Sequence, residues 1–390
     1  MRKNKKSATR LRKAEKVIRI TLISLVSLVV VVVGVAGLYV NNLLNKVDYD
    51  HDDPTQELVS YETDPNGNII MPDENGTTTG SSEDLSGELG EPTPTVEPED
   101  TAPPISDEEV AKAAEEAQNA ISDGAPIISS SNVINILLIG VDARTAGQVT
   151  NSDTMILISI NKTKKQITMS SLMRDMYVAI PGVGNTKLNH ANAIGGPSLL
   201  LKTVQENFKV QVNEYVMVDF YSMANIVDIL GGVTVNVTAE ELPYVNNSVR
   251  ETNRQQGKPT DQGLLQSSGT VTLTGAQAVG YARIRKIGNA DFGRTQRQRT
   301  IMTAIFNKVK GSSIGTLNNL ANSILPQVKT NISKNTLLGY MALIPSAANY
   351  PITQLQIPAN GSYTSAMIGG LSYLVPNIAS NRSLLHSTIY

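Results

Sequence analysis

Val133–Val141, VINILLIGV, is an apolar run without a single charge, bounded by polar residues on both sides. A run of that length and composition reads as a strand buried on both faces, so whatever fold contains it must supply cover above and below. Thr154–Ile160 (TMILISI) and Ile167–Ser171 read as two further strands. Downstream the pattern changes repeatedly. Pro197–Phe208 is helical after Gly195 and Gly196, Tyr215–Asp219 is a strand, and Tyr221–Leu230 is a helix stopped by Gly231 and Gly232. Val233–Val237 reads as another strand and Gln296–Lys310 as a long helix. Strands interleaved with helices predict an α/β domain, a central mixed β-sheet flanked by helices on both faces.

The domain is expected to span 132–390, and what precedes it has a different character. Ile20–Val40 is uncharged and apolar over 21 residues, enough to cross a hydrocarbon core of about 30 Å as a helix. Arg2, Lys3, Lys5, Lys6, Arg10, Arg12, Lys13, Lys16 and Arg19 stand before it, whereas Asp48, Asp50, Asp52 and Asp53 follow it. The expectation is a single-pass membrane anchor at 20–40, with residues 1–19 as a basic cytoplasmic tail and everything later outside the cell membrane. The run exceeds a signal peptide's apolar segment, and no small-residue cleavage site is evident after it. Residues 41–131 are acidic and rich in Pro, Ser and Thr, and read as a disordered extracytoplasmic linker. Within it Asp107–Ile121 is Ala-rich and carries a short amphipathic helical pattern.

Absence of cysteine excludes disulfides and thiolate chemistry, and three histidines leave little room for a Ser-His-Asp hydrolase or a His-rich zinc site. Carboxylates, arginines and a hard metal remain. The stretch Leu273–Gln298 gathers Arg283, Arg285, Arg294 and Arg297 around one acid, Asp291. On an extended segment Arg283 and Arg285 would leave the same face, and Arg294, Arg297 and Gln298 fall on one side of a helix that Asp291 or Gly293 could cap. Guanidinium forks bind phosphate oxygens in pairs and stay charged at physiological pH. The competing reading is a solvated basic helix.

Asp142 follows the first strand, at the carboxyl end where ligands of open α/β sheets collect, and Asp153 opens the next one. With Arg144 nearby, the two acids read either as a Mg²⁺ site completed by water and phosphate, or as turn and cap residues. Arg174 and Asp175 follow the third strand, and Lys187, Asn189 and His190 follow the turn PGVGNT. A lone histidine such as His190 reads as a hydrogen-bonding wall residue.

The segments NILLIGVDAR, SDTMILISIN, RDMYVAIPG, KLNHANAIGG, VDILGGV and LTGAQAVGYARIR with DFGRTQRQR, taken in this order, resemble the LytR-CpsA-Psr proteins of bacterial cell envelopes. The resemblance covers nearly all of Asn135–Met302. It departs at Asn151, where the family commonly has Arg, and at Met173, where it commonly has Pro. It implies a Mg²⁺-dependent phosphotransferase that attaches polyprenyl-pyrophosphate-linked glycopolymers, of teichoic acid or capsular polysaccharide type, to peptidoglycan. By the same resemblance Asp142 and Asp153 match metal-associated acids, and Arg174, Arg283, Arg285, Arg294 and Gln298 match the pyrophosphate site, with Arg297 beside them. Asp175 is then a base for the acceptor hydroxyl or a structural partner of an arginine.

Two other readings compete. Water in place of the sugar hydroxyl would make the protein a polyprenyl-pyrophosphate glycan pyrophosphatase, and loss of turnover would leave a wall- or lipid-binding regulator. Nucleic acid is not an expected partner, because nothing beyond the short basic tail is available to fold on the cytoplasmic side.

Overall fold

The computed structural model describes residues 39–50, 63–69, 102–141, 150–288 and 290–390. The chain divides after Val47. Of the first unit the described part is helical from Tyr39 to Leu44. The predicted membrane span lies outside the described residues except for Tyr39 and Val40, and among those described no helix is long and apolar enough to cross a membrane.

The second unit, Asp48–Tyr390, is built on a seven-stranded sheet. In chain order the strands are β1 (Asp48–Tyr49), β2 (Val133–Val141), β3 (Ser152–Asn161), β4 (Gln166–Leu172), β5 (Tyr177–Ile180), β6 (Gly184–Lys187), β7 (Glu214–Asp219), β8 (Val233–Val237), β9 (Gly269–Leu273), β10 (Lys329–Thr330), β11 (Ile352–Ile357), β12 (Tyr363–Ile368) and β13 (Leu371–Pro376). The main sheet runs β1-β10-β7-β2-β3-β4-β11 and is mixed. β2, β3 and β4 form an antiparallel meander, while β7 lies parallel to β2 and β11 parallel to β4. The predicted strand Val233–Val237 exists but pairs with β9 in a separate two-stranded sheet. Its alternation of buried valines with exposed Thr234 and Asn236 is the pattern of a strand with one wet face.

Period-two alternation sorts the strand residues between two layers. Leu137, Ile139, Met155, Leu157 and Tyr215 face the larger core, and Leu138, Ile156, Ile158 and Val216 face the other side. Each fully buried Leu or Ile contributes roughly 1.5–3 kcal/mol of transfer free energy. The helices in chain order are α1 (Asp107–Ser122), α2 (His190–Phe208), α3 (Phe220–Ile229), α4 (Leu242–Gln255), α5 (Gly275–Ala282), α6 (Ala290–Lys310), α7 (Ile314–Ile324), α8 (Lys334–Ala347) and α9 (Ile378–Ile389). α2 and α9 cover the larger core, supplying Leu200, Val204 and Phe208, and Leu385 and Ile389. α2 is kinked at Gly195 and Gly196, the pair that marks the predicted helix start; Gly196 has φ +66°, a backbone region that suits glycine.

α6 links two parts of the molecule. Its Ile301 and Ile305 enter a second apolar cluster with α3, α4, α5 and the β8–β9 strand pair, while Met302 also packs on the sheet face formed by Leu138, Ile156 and Met169.

The boundary expected between 131 and 132 falls inside this unit. α1 is closed at its start by a capping box of Ser106 and Glu109 and buries Ala113, Ala114, Ala117 and Ala120. Ala113 and Ala117 pack with Tyr177, Ala179 and Tyr373. Small alanines carry most of that packing, with Val110 and Ile121 beside them, so the segment has few of the large apolar residues that mark a core helix in sequence. Residues 63–69, within the same expected linker, also join the fold: Asn68 pairs with Asn185, Ile69 is buried, and the Tyr177 hydroxyl donates to Asn68.

Candidate anion site

Four elements deliver charged side chains to one place. Asp153 is the second residue of β3, Arg174 and Asp175 follow β4, the connection after α5 carries Arg285, and the first two turns of α6 carry Asp291 and Arg294. Arg174 bridges the acids: its Nη1 lies 3.3 Å from Asp153, and its Nε lies 3.2 Å from Asp175 and 3.6 Å from Asp291. Arg285 lies 3.8 Å from Asp153 and 3.7 Å from Asp291. Lys187, at the end of β6, reaches Asp175 at 2.9 Å.

Arg294 is the innermost of these groups, its side chain 4% exposed, against 39% for Arg285 at the mouth. Its Nη2 is 3.0 Å from Asp291, within ion-pair distance but out of line for a hydrogen bond. Among the described residues none of its three guanidinium nitrogens finds an acceptor. Burial lowers its pKa to about 10, although Asp291 pulls the other way, which still leaves it charged at neutral pH. A desolvated cation with unused donors is costly unless an anion completes it. Gln298, one turn further along α6, is buried as well.

Asp175 sits between two cations. Burial would raise its pKa, but the Arg174 and Lys187 charges outweigh that and hold it well below the usual carboxylate range. Its carboxylate lies 3.2 Å from Arg174 and 2.9 Å from Lys187 and holds the two cations beside each other.

The other predicted residues are placed differently. Arg283 does not lie on an extended segment: it is the C-terminal cap of α5, with φ −95° and ψ −6°, and its guanidinium sits 5.0 Å from the centre of the Phe220 ring. Buried Ile284 stands between it and Arg285 in the chain. Arg297 is turned away from the cluster. Its Nε donates to Glu241 at 2.7 Å, and its Nη1 and Nη2 donate to the carbonyls of Ile284 and Ile287, so it braces the loop that presents Arg285. Asp142 and Arg144 lie outside the described residues. His190 is buried and bonded through Nδ1 to the Thr186 hydroxyl at 2.9 Å, a wall residue as its isolation suggests. Met173, one of the departures from the family pattern, is fully buried and takes a contact from the Thr295 hydroxyl of α6.

The sequence offers Asp291 as a helix cap and as the acid among the arginines, and gives Lys187 no role. Both belong to the cluster, and the signal for Asp291 was its being the single acid among four arginines.

A mixed α/β domain that holds buried guanidinium groups at strand and helix ends defines a phosphate-handling class of protein. Residues 105–388 match the LytR_cpsA_psr family model, and the chain belongs to that family. It is 34% identical over 257 residues, 64% of its own length and 73% of the relative's, to the polyisoprenyl-teichoic acid–peptidoglycan teichoic acid transferase TagU of Oceanobacillus iheyensis. Its fold is similar to that of TagT bound to LI-WTA, with a TM-score of 0.53 and 27% identity over 66% of this chain and 91% of that one. It is also similar to the family protein YwtF (TagT) with bound octaprenyl pyrophosphate lipid, with a TM-score of 0.50 and 25% identity over 66% and 91% of the two chains.

Proposed function

We propose that this protein is a phosphotransferase that moves a glycopolymer from a polyprenyl-pyrophosphate carrier to a peptidoglycan hydroxyl. The observation that carries the proposal is the buried Arg294 guanidinium, without a hydrogen-bond acceptor among the described residues and flanked by Arg174 and Arg285. Phosphoryl transfer needs little covalent work from a protein, since fixed positive charge around the phosphate oxygens supplies most of the acceleration. In the reaction the acceptor oxygen bonds to the sugar-linked phosphorus, the bond from that phosphorus to the bridging oxygen breaks, polyprenyl phosphate leaves, and the hydroxyl proton is released. Arg294 at the base and Arg285 at the mouth would grip the oxygens, with Arg174 held between them by its acids. The relatives' names and their bound lipid and polymer support the same substrate class.

Mg²⁺ fits the donor chemistry of Asp153, a carboxylate facing the same cluster, with Asp142 as its expected companion. Such an ion takes one or two protein carboxylates and fills its shell with water and phosphate. When bound, it would draw charge from the phosphate oxygens. The Ile20–Val40 run is assigned as the anchor that keeps the domain outside the cell membrane, close to a lipid-linked donor.

The test is full-length protein in detergent with Mg²⁺, a radiolabelled polyprenyl-pyrophosphate glycan and peptidoglycan oligomers. Label joined to peptidoglycan by the wild type and not by Arg294→Ala is the expected result. Free labelled sugar phosphate without conjugate would replace the transferase with a pyrophosphatase, and full conjugation by the variant would remove Arg294 from the mechanism.

A further inference from the structure

α6 presents two faces to two different places. Asp291 and Arg294 belong to the anion cluster, whereas Gly293, Gln296, Arg297 and Thr300 recur at helical spacing along a cavity of about 370 Å³. The cavity's other walls come from the end of α5, through Tyr281, and from β11 and the turn after it, through Gln356 and Asn360. Phe292, in the first turn of α6, also lines it and is stacked on Tyr363, with ring centres 5.2 Å apart and planes inclined by 24°.

The charges of this cavity cancel. Its lining cation is Arg297 and its lining acid is Glu241, and the two are bonded to each other, with the rest of the guanidinium spent on loop carbonyls. That leaves little to attract a polyanion. What remains are amides at Gln296, Gln356 and Asn360, a hydroxyl at Thr300, and aromatic surface at Tyr281 and Phe292. Amides offer a donor and an acceptor together, matching adjacent sugar hydroxyls and acetamido groups, and aromatic faces accept the C–H side of a pyranose ring. The volume falls in the range of small-ligand sites.

We propose that this cavity is a glycan subsite for a neutral N-acetylated hexosamine oligosaccharide, the acceptor strand of the transfer. The assignment rests on the transferase reading for the word acceptor, and on the cavity alone for the sugar. Arg294, which grips phosphate, and Gln296 and Thr300, which grip sugar, are then carried by one rigid helix.

The experiment uses the full-length protein in detergent and two probes measured separately, a β-1,4-linked N-acetylglucosamine tetrasaccharide and a polyprenyl pyrophosphate. The double variant Gln296→Ala with Asn360→Ala alters two exposed side chains and should fold; an unchanged melting temperature checks this. Losing two amide partners should weaken tetrasaccharide binding by about tenfold, with pyrophosphate binding unchanged. Tetrasaccharide binding that is undetectable in the wild type, or equal in wild type and variant, would overturn the subsite even while pyrophosphate binding and transfer persist. Failure of the transferase reading shows separately, as a wild type that binds the sugar and releases sugar phosphate without forming conjugate.

Discussion

Arg297 and Glu241 form an ion pair of 2.7 Å in which each side chain is about nine-tenths buried. The pair does more than neutralise two charges. Glu241 also accepts from the Thr238 backbone at 2.9 Å, and Arg297 reaches two carbonyls of the loop that leads from α5 to α6. The brace therefore spans the start of α4, the body of α6 and the loop bearing Arg285.

Removing one half of that pair should be costly. Arg297→Ala or Glu241→Ala leaves a buried charge uncompensated, and a loss of about 3–5 kcal/mol is expected in urea unfolding. Arg297→Ala should also raise the KM for the lipid donor, because Arg285 loses the support of its loop. An unchanged unfolding midpoint would show that the pair is not structural.

Arg294 should behave in the opposite way. Arg294→Met keeps most of the volume and removes a desolvated charge without acceptors, so the melting temperature should hold or rise. Transfer should fall by roughly 10²–10³-fold, the usual effect of deleting one preorganised donor to developing charge. Arg294→Lys should rescue little, since a point charge cannot fork onto two oxygens. Parallel losses of stability and activity in Arg294→Met would instead mark the residue as scaffold.

The segment LTGAQA has a packing reason. Thr274 and Gln277 close a capping box at the start of α5, and the Gly275 amide donates to Asp228 at 2.7 Å. A Cβ at Gly275 would stand 2.2 Å from the Ala224 carbonyl oxygen of α3. Gly275→Ala should therefore destabilise by at least about 1–3 kcal/mol, read as a lower thermal midpoint; wild-type stability would mean that α3 and α5 part without penalty.

Asp123 gives a pH signature. The Arg382 side chain holds its pKa down to about 2, with smaller help from the Ala125 amide and Lys209 and opposition from burial. A carboxyl depressed below its unfolded value of about 3.9 contributes stability that is fully present above about pH 4 and is lost as pH falls toward 2. Arg382 also donates to the Asn207 and Ala120 carbonyls, so the loss should appear as faster hydrogen exchange in α9. In Asp123→Asn that pH dependence should flatten.

The sheet was legible wherever strands were uncharged and long, as in β2, β3 and β4, because burial on both faces leaves a run that other structures rarely produce. α1 was legible as a helix but not as part of the domain, since alanine burial resembles the composition of a solvated helix. Arg285 and Arg294 meet as the arginine-rich motif suggests, and Arg174 joins them from the loop after β4. Arg297 does not, because a buried glutamate claims it, and Arg283 caps a helix beside Phe220 instead of lying on an extended segment. Spacing places a side chain on a face; it does not reveal which neighbour is already there.

β11 completes the sheet beside β4, and Leu385 and Ile389 close the larger core from the far end of the domain. A ribosome delivers β2, β3 and β4 long before either arrives. For that interval the meander has an unpaired edge and an uncovered apolar face, the two features that invite association with other chains. The time to make the last residues is thus a window of vulnerability, and the burden on chaperones should fall on this intermediate rather than on the finished protein.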